Sequence, residues 1–168
     1  MARDGTVFVS MWGDSNRILA LSADGTVTTL AGEGDAGFAD GRGAAAAFRH
    51  PKSIAAGPDG HMYVADHSNH SIRRVTRAGD VTTIAGRPTE RGESIDGNLT
   101  VARFYLPSAV AVASDGTIYV GEDSGKRVRR IRDGFASTIW RGEGYAQARG
   151  LFLDGDSLLY VAAGSRIL

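Results

Sequence analysis

The sequence predicts an all-β protein: a β-propeller built of four-stranded antiparallel blades, incomplete in one chain and closed by homo-oligomerisation. Three observations lead to this prediction. Short apolar runs alternate with turn residues through 51–86, the pattern recurs at intervals of about 55 residues, and each copy is apolar on both sides of its strands. Copies stacked face to face around an axis cover both of these apolar faces.

The reference unit is PKSIAAGPDGHMYVADHSNHSIRRVTRAGDVTTIAG, residues 51–86. Its apolar runs are rich in Ile, Val, Tyr and Thr, which favour strands, and Gly, Asp, Asn and Pro separate them. Asp59-Gly60 suits a tight turn because glycine takes positive φ without penalty. The unit therefore predicts a four-stranded meander, with strands at Ser53–Ala56, Met62–Ala65, Ile72–Val75 and Val81–Ala85.

Internal alignment reveals three further copies of the unit. Residues 107–142 match it at a spacing of 56 residues over most of their length. The first copy, 1–32, has no room for an opening strand, because only three residues precede its Asp4-Gly5 turn. The last copy, 148–168, stops within its third strand. We therefore expect a single propeller segment, 1–168, with two whole blades between two incomplete ones.

The links between copies also repeat. Gly32–Pro51 and Gly86–Pro107 share an Asp-Gly pair and a Phe three residues before the Pro, at Phe48 and Phe104. This repeat predicts a folded loop whose Phe packs between neighbouring sheets. A straight β-solenoid is the competing fold, and a long period with four strands and a long link disfavours it.

The second copy resembles the NHL repeat. The residues that carry the resemblance are Pro51, Ile54, Asp59-Gly60, Tyr63-Val64-Ala65-Asp66, Asn69-His70 and Ile72-Arg73-Arg74-Val75. The link DAGFADG at 35–41, followed by Phe48 and Pro51, is similar to the linker of longer NHL repeats. The resemblance covers essentially the whole chain, and it implies a propeller that in this family usually has six blades.

Six blades do not fit into 168 residues, and an open ring would expose unpaired strand edges. Three arrangements remain open: excision from a longer propeller, an open arc, or pairing with a second copy. We expect a homodimer, in which 151–153 of one chain supplies the opening strand that the first blade of its partner lacks. Such a C2 pairing would close a ring of six blades, or of about eight if the remaining strands also find places.

Composition narrows the range of partners. Lys+Arg and Asp+Glu both number 19, so no net charge attracts nucleic acid or a membrane, and we expect neither as a partner. There is no cysteine, hence no disulfide and no thiolate metal site. No apolar run approaches the roughly 18 residues of a membrane-spanning helix. The compartment stays undetermined.

Three residues of the second copy are candidate metal ligands. His67 and His70 form H-x-x-H, and Asp66 lies beside them. However, Asn69-His70 belongs to the NHL turn pattern, and no other copy offers a histidine there. We therefore expect structural or exposed turn histidines in preference to a metal site.

The links contain candidate calcium ligands. Asp35, Asp40 and Asp96 lie in glycine-rich loops, and carboxylate oxygens suit Ca²⁺. Their spacing does not match an EF-hand loop. We expect instead that these carboxylates accept hydrogen bonds from backbone N–H groups within the turn.

Two basic segments contain candidate nucleic-acid contacts, namely Arg73, Arg74, Arg129 and Arg130. Some NHL propellers bind single-stranded RNA on a basic face. Alternate side chains of a strand point to opposite faces, so these arginines cannot all line one surface. Because acidic residues such as Asp66 lie nearby, we expect ion pairs between strands or blades.

Trp12 and Trp140 are candidate contact residues. We assign neither to a repeated position, and we expect both to be partly exposed at a blade edge, where aromatic residues often mark contacts. Tyr63, Tyr119 and Tyr160 share one repeated position, which indicates packing.

No nucleophile–base motif, zinc-protease motif or P-loop occurs in the chain. We therefore expect a non-enzymatic propeller module without a cofactor that acts as a binding and assembly scaffold. Its partners are a second copy of itself and a protein or small-molecule ligand at the loops of one rim. Two alternatives remain open: part of a propeller lyase or hydrolase with a metal site at the ring centre, and an RNA-binding NHL face.

Overall fold

Antiparallel strands joined by tight turns build the fold. The computed structural model describes residues 5–88, 92–144 and 147–167, so Asp4 of the predicted first turn lies outside the described residues. The described strands form four sheets that follow one another as the blades of a propeller. The predicted all-β propeller architecture is confirmed, whereas closure of a ring by a second chain stays a prediction.

The strands group into sheets in chain order. Sheet 1 contains β1 (Val7–Met11), β2 (Arg17–Leu21) and β3 (Val27–Ala31). Sheet 2 contains β4 (Gly41–Arg42), β5 (Pro51–Ala56), β6 (Met62–Asp66), β7 (Ser71–Val75) and β8 (Asp80–Gly86). Sheet 3 contains β9 (Gly97–Asn98), β10 (Pro107–Val112), β11 (Ile118–Glu122), β12 (Arg127–Arg132) and β13 (Phe135–Arg141). Sheet 4 contains β14 (Ala148–Asp154), β15 (Leu158–Ala163) and β16 (Arg166–Ile167).

Helical structure is confined to single 3₁₀ turns at Gly13–Ser15, Gly43–Ala45 and His67–Asn69 in the described residues. Within the same ranges, no helix is long and apolar enough to cross a membrane. The two central sheets run from innermost to outermost strand as β5-β6-β7-β8-β4 and β10-β11-β12-β13-β9. The outermost strand of each was missed by the sequence analysis.

This extra strand comes from the link. Gly41–Arg42 (β4) pairs antiparallel with the start of β8, and Gly97–Asn98 (β9) pairs in the same way with β13. A strand of two residues shows no apolar alternation, so periodicity does not reveal it. Each link is thereby tied to the outer edge of the sheet that follows it.

Sheet 2 shows why the sheets stack. Met62 and Val64 of β6 pack toward sheet 1, in one cluster with Ile18. Ala65, the residue after Val64, points the other way and packs with Val120 of sheet 3. Because each large buried aliphatic side chain stabilises the fold by about 1.5–3 kcal/mol, covering both faces is the main source of stability between blades.

The two link phenylalanines lie between sheets, as predicted. Phe48 is fully buried with residues of sheets 1 and 2, and Phe104 is fully buried with residues of sheets 2 and 3. Each ring therefore fills the wedge where two blades diverge.

The terminal sheets are covered on one face only. In sheet 1, Phe8 packs toward sheet 2, while Val7 and Val9 are exposed. In sheet 4, Phe152 and Ile167 are 64% and 76% exposed and line one shallow apolar depression. Residues 151–153, the strand expected to complete a partner's first blade, lie in β14 and pair with β15 of the same chain.

Candidate functional site

One edge of the propeller brings polar side chains of several loops and links together. The loops between the second and third strands and the links between sheets both lie there, because alternate strands of a meander end at the same edge. We call it the link edge; it comprises the loops 12–16, 67–70 and 123–126 and the link residues next to them. The middle of each link, at Gly41–Arg42 and Gly97–Asn98, pairs instead with the start of β8 or β13. Backbone hydrogen bonds join loop to link, for example from Ser68 N to Arg49 O at 3.0 Å.

Arg73 fastens a link to its sheet. Its guanidinium is fully buried; Nη1 donates to Asp66 Oδ2 at 2.8 Å and to Ala47 O at 3.0 Å. Nη2 donates to Asp40 Oδ1 at 2.8 Å and to Ala39 O at 2.6 Å. One side chain of β7 therefore holds the end of the second strand and two points of the link.

Arg129 repeats this arrangement in sheet 3. Its Nη1 donates to Glu122 Oε1 at 2.9 Å, and its Nη2 donates to Asp96 Oδ1 at 2.8 Å. Two link carbonyls, of Ile95 and Arg103, accept the remaining bonds, each at 2.8 Å. The guanidinium carbon lies 4.9 Å from the centre of the Phe104 ring, and that of Arg73 lies 5.2 Å from the Phe48 ring. The ion pairs that the sequence analysis expects are present, and they are structural.

The carboxylates of these clamps differ in environment. Asp66 is fully buried, and burial raises the pKa of its carboxyl group against the lowering effect of donors from Asn69, Arg49 N–H and Arg73. Asp40 is half exposed; burial raises its pKa, but the Thr83 N–H and hydroxyl and the Arg73 guanidinium outweigh it and leave the pKa below its usual value. Asp40 therefore stays ionised and holds the link to β8.

The candidate metal ligands do not converge. Asp66 is occupied by Arg73, while His70 Nδ1 accepts a hydrogen bond from Leu106 N–H at 3.1 Å and its ring stacks on Tyr105. His67 faces Asp123 of sheet 3 instead of either neighbour. The described ranges contain no group of three or more His, Cys, Asp or Glu residues that could hold a metal ion.

The candidate calcium ligands are also separate. Asp40 and Asp96 each bind an arginine and a threonine of the sheet that follows, whereas Asp35 is exposed. The expectation of hydrogen bonds within the turn is wrong for Asp40 and Asp96. Their partners, such as Thr83, lie about 40 residues away, because the link folds back onto the outermost long strand.

The remaining candidates divide by strand face. Arg74 and Arg130 point away from the clamps; Arg130 is exposed and Arg74 is half-buried. Trp140 is half-buried and packs against the cluster between sheets 3 and 4. Trp12 is 62% exposed and lies at the link edge.

Five side chains from all four sheets do converge at the link edge, and we call them the mouth cluster: Trp12, Lys52, His67, Asp123 and Arg149. Asp123 is at the centre, with Lys52 Nζ at 3.3 Å from Oδ2 and Arg149 Nε at 3.2 Å from Oδ1. His67 Nε2 lies 4.0 Å from Asp123 Oδ2. Lys52 Nζ lies 5.9 Å from the centre of the exposed Trp12 ring. Lys52 and Arg149 belong to innermost strands, which places the cluster at the mouth of the propeller axis.

His67 is neutral in this setting. Burial lowers its pKa to about 4, the positive charge of Lys52 adds to the effect, and Asp123 opposes it. Its Nδ1 lies 3.3 Å from Ser68 Oγ, which in turn lies 2.9 Å from His50 Nδ1. Its Nε2 is buried without a hydrogen-bond partner among the described residues.

Sequence analysis missed Lys52, Asp123 and Arg149. Lys52 and Asp123 are 71 residues apart, and no motif links them. A signal was nevertheless available, since Trp12, His67 and Asp123 stand at one repeated position, the first residue of the loop after the second strand. Lys52 and Arg149 likewise share the second position of the innermost strand.

Comparison with known families settles the relationship of the chain. The family model of the teneurin NHL domain matches residues 14–132, which is well over half of the sequence. The chain belongs to the teneurin NHL domain family. The resemblance of its second copy to the NHL repeat is therefore confirmed.

The relatives of this teneurin NHL domain are much longer proteins. Teneurin-1 of Mus musculus is 30% identical over 93 residues, a match that covers 48% of this chain and 3% of teneurin-1. The chloroplastic protein SUPPRESSOR OF QUENCHING 1 of Arabidopsis thaliana is 30% identical over 95 residues, which covers 55% of this chain and 9% of that protein. The chain thus spans less than a tenth of these relatives.

Solved structures share the fold of this teneurin NHL domain. A protein of unknown function from Bacteroides thetaiotaomicron superposes with a TM-score of 0.73 over 97% of this chain and 43% of that chain, at 18% identity. At this identity the likeness supports the propeller fold alone.

Proposed function

We propose that this NHL domain is a non-enzymatic binding and assembly scaffold, and that two copies associate through their terminal sheets into a closed ring. The observation that carries the proposal is the pair of uncovered apolar faces on sheets 1 and 4. Exposed apolar patches of this kind mark association surfaces. The occupant we propose for each face is the opposite terminal sheet of a second copy.

The two uncovered faces are complementary by repeat position. Tyr160 of sheet 4 corresponds to Tyr63, which packs toward the next sheet in the chain. Val9 of sheet 1 corresponds to Val64, which packs toward the preceding sheet. Sheet 4 therefore presents the face that receives a following blade, and sheet 1 presents the face that receives a preceding one.

A C2 dimer satisfies both faces at once. Sheet 4 of each chain would pack on sheet 1 of its partner, giving eight sheets without any exchange of strands. Exchange of 151–153, the route to six blades, would require β14 to leave β15, to which it is hydrogen-bonded along its length. Face-to-face packing preserves these bonds, so we favour eight.

The polar residues support a scaffold over an enzyme. Arg73 binds Asp66 and Asp40 and so holds the link, and Arg129 binds Glu122 and Asp96 in the same way one blade later. Groups committed to folding in this way are poor candidates for chemistry. Elemental analysis tests the point, since a stoichiometric divalent ion in the purified protein would favour the enzyme alternative.

Light scattering after size exclusion tests the assembly. We expect twice the chain mass of 17.7 kDa for the unaltered protein. Val9→Asp and Phe152→Asp should each shift the mass toward the monomer, whereas Val101→Asp, an equally apolar exposed site in a link, should not. Mixing the Val9 and Phe152 variants should restore dimers through one intact interface. A monodisperse monomer of the unaltered protein would refute the proposal.

A further inference from the structure

We propose that the mouth cluster binds the anionic group of a small ligand, a carboxylate or phosphate, between Lys52 and Arg149, with the body of the ligand against Trp12. This site is distinct from the terminal faces, and all of its residues belong to one chain. The inference therefore goes beyond the assembly proposed above and does not depend on it.

The charge of the cluster favours an anion. Lys52 and Arg149 bring two positive charges, and Asp123 is the one carboxylate that contacts them within the part of the chain that the structure describes. His67 and His50 lie alongside and add no negative charge. A second anion near the two cations therefore meets a net attraction, and the partly buried setting screens it less than open solvent does.

The cluster also holds unused hydrogen-bond donors. Arg149 contacts Asp123 through Nε, and its two terminal amino groups have no partner among the described residues. Lys52 directs one hydrogen bond to Asp123, although an ammonium group carries three donors. Guanidinium and ammonium groups form strong charge-assisted hydrogen bonds to carboxylates and phosphates. The donors of Lys52 and Arg149 come from sheets 2 and 4 and meet at the mouth of the propeller axis.

Trp12 supplies a surface for the rest of the ligand. Its ring is 62% exposed, with Lys52 Nζ 5.9 Å and the His50 ring 6.0 Å from its centre. Folding leaves most of this ring in water. An exposed tryptophan beside cations offers a stacking face for a planar or sugar-like body next to the anionic group.

The competing explanation is a staple that merely joins the sheets. The clamps around Arg73 and Arg129 show what such a staple looks like here, with guanidiniums that are fully buried. The Arg149 side chain is 66% exposed instead. Lys52 and Asp123 are more buried, at 25% and 11% exposed, so any structural contribution falls mainly on that pair. The exposed Arg149 arm contributes little to stability, so the fold itself gives little reason for it.

Titration of the purified chain with benzoate, glucuronate and inorganic phosphate, followed by tryptophan fluorescence, tests the proposal. We expect a saturable change with at least one anion and none with glucose; benzoate or glucuronate saturating first would identify a carboxylate ligand, and phosphate a phosphorylated one. Trp12→Phe should abolish the signal. Lys52→Ala and Arg149→Ala should each weaken binding about tenfold, equivalent to about 1.4 kcal/mol. Arg130→Ala, which removes an exposed arginine outside the mouth, should leave it unchanged.

The variant Asp123→Asn distinguishes a binding site from an ion-pair cluster that only joins the sheets. Removing the resident carboxylate frees Lys52 and Arg149, so anion affinity should rise severalfold while the fold, checked by circular dichroism, persists. If the cluster only joins the sheets, Asp123→Asn should instead lower the stability of the fold and leave the affinity for anions unchanged. The proposal is overturned if no anion gives saturable binding, or if Lys52→Ala and Arg149→Ala bind as well as the unaltered chain.

Discussion

Replacing Arg73 by Met tests the clamp that holds the link. Met fills much of the space of the arginine stem but leaves Asp66 buried and without its ion-pair partner. Breaking a buried pair by removing one member costs about 3–5 kcal/mol. Domains of this kind are stable by about 5–15 kcal/mol, so the loss would be a large fraction of the total. The carbonyls of Ala39 and Ala47 also lose a donor, but they lie in the link, where water can replace it.

Urea unfolding followed by circular dichroism measures the effect. With an m-value of about 2 kcal/mol/M, Arg73→Met should lower the midpoint by about 2 M. Arg73→Lys keeps the charge but not the planar guanidinium, so its urea midpoint should lie between those of Arg73→Met and the unaltered protein. It also provides a foldable variant if the Met protein does not fold. Arg130→Met, at an exposed site, should change stability by less than about 0.5 kcal/mol.

The double variant Arg73→Met/Asp66→Asn isolates the pair. Since Asn removes the uncompensated charge, the double variant should be more stable than Arg73→Met alone. The clamp role is refuted if the unfolding free energy of Arg73→Met lies within about 1 kcal/mol of that of the unaltered protein, or if the double variant loses the sum of the two single losses.

Two further predictions concern the wedge between blades and the response to acid. Phe104→Ala should cost about 3–5 kcal/mol in urea unfolding because the ring is fully buried, whereas Phe135→Ala, at a 51% exposed site, should cost far less; equal costs would contradict the wedge role. Because the folded pKa of His67 is about 4, below the unfolded value of about 6.5, the unfolded chain takes up the proton first, and stability should fall as the pH drops from 6.5 to 4. His67→Gln should flatten this slope when unfolding is measured across that window, and an unchanged slope would refute the assignment.

The sequence predicted the features that each copy needs for its own strands and for packing against its neighbour. Alternation in the second strand, illustrated by Val64 and Ala65, follows from period-two geometry, and the repeat made Phe48 and Phe104 recognisable as wedge residues. The partners of Asp40 and Asp96 could not be predicted, because they depend on how a long link folds back onto the next sheet. The two-residue strands β4 and β9 escaped detection for the same reason.

The mouth cluster could not be predicted from sequence motifs, because its residues are related only by their positions in the repeat. Trp12, His67 and Asp123 occupy one repeated position, and Lys52 and Arg149 share another. Stacking blades around an axis brings these two sets of positions together at its mouth, although Lys52 and Asp123 lie 71 residues apart in the chain. The repeat thus explains why these side chains meet in space, but it does not determine which residue type stands at each position.

This contrast separates the structural residues from the functional ones within a single chain. The two central copies each cover two faces and fasten a link, so the clamp arginines and wedge phenylalanines recur there with the same chemistry. A ligand at the axis meets all copies together, and each copy can contribute a different group, so one loop position holds an indole, an imidazole and a carboxylate in turn. Positions that coincide in the repeat but differ in chemistry are therefore where binding should be sought, and the mouth is where this chain concentrates them.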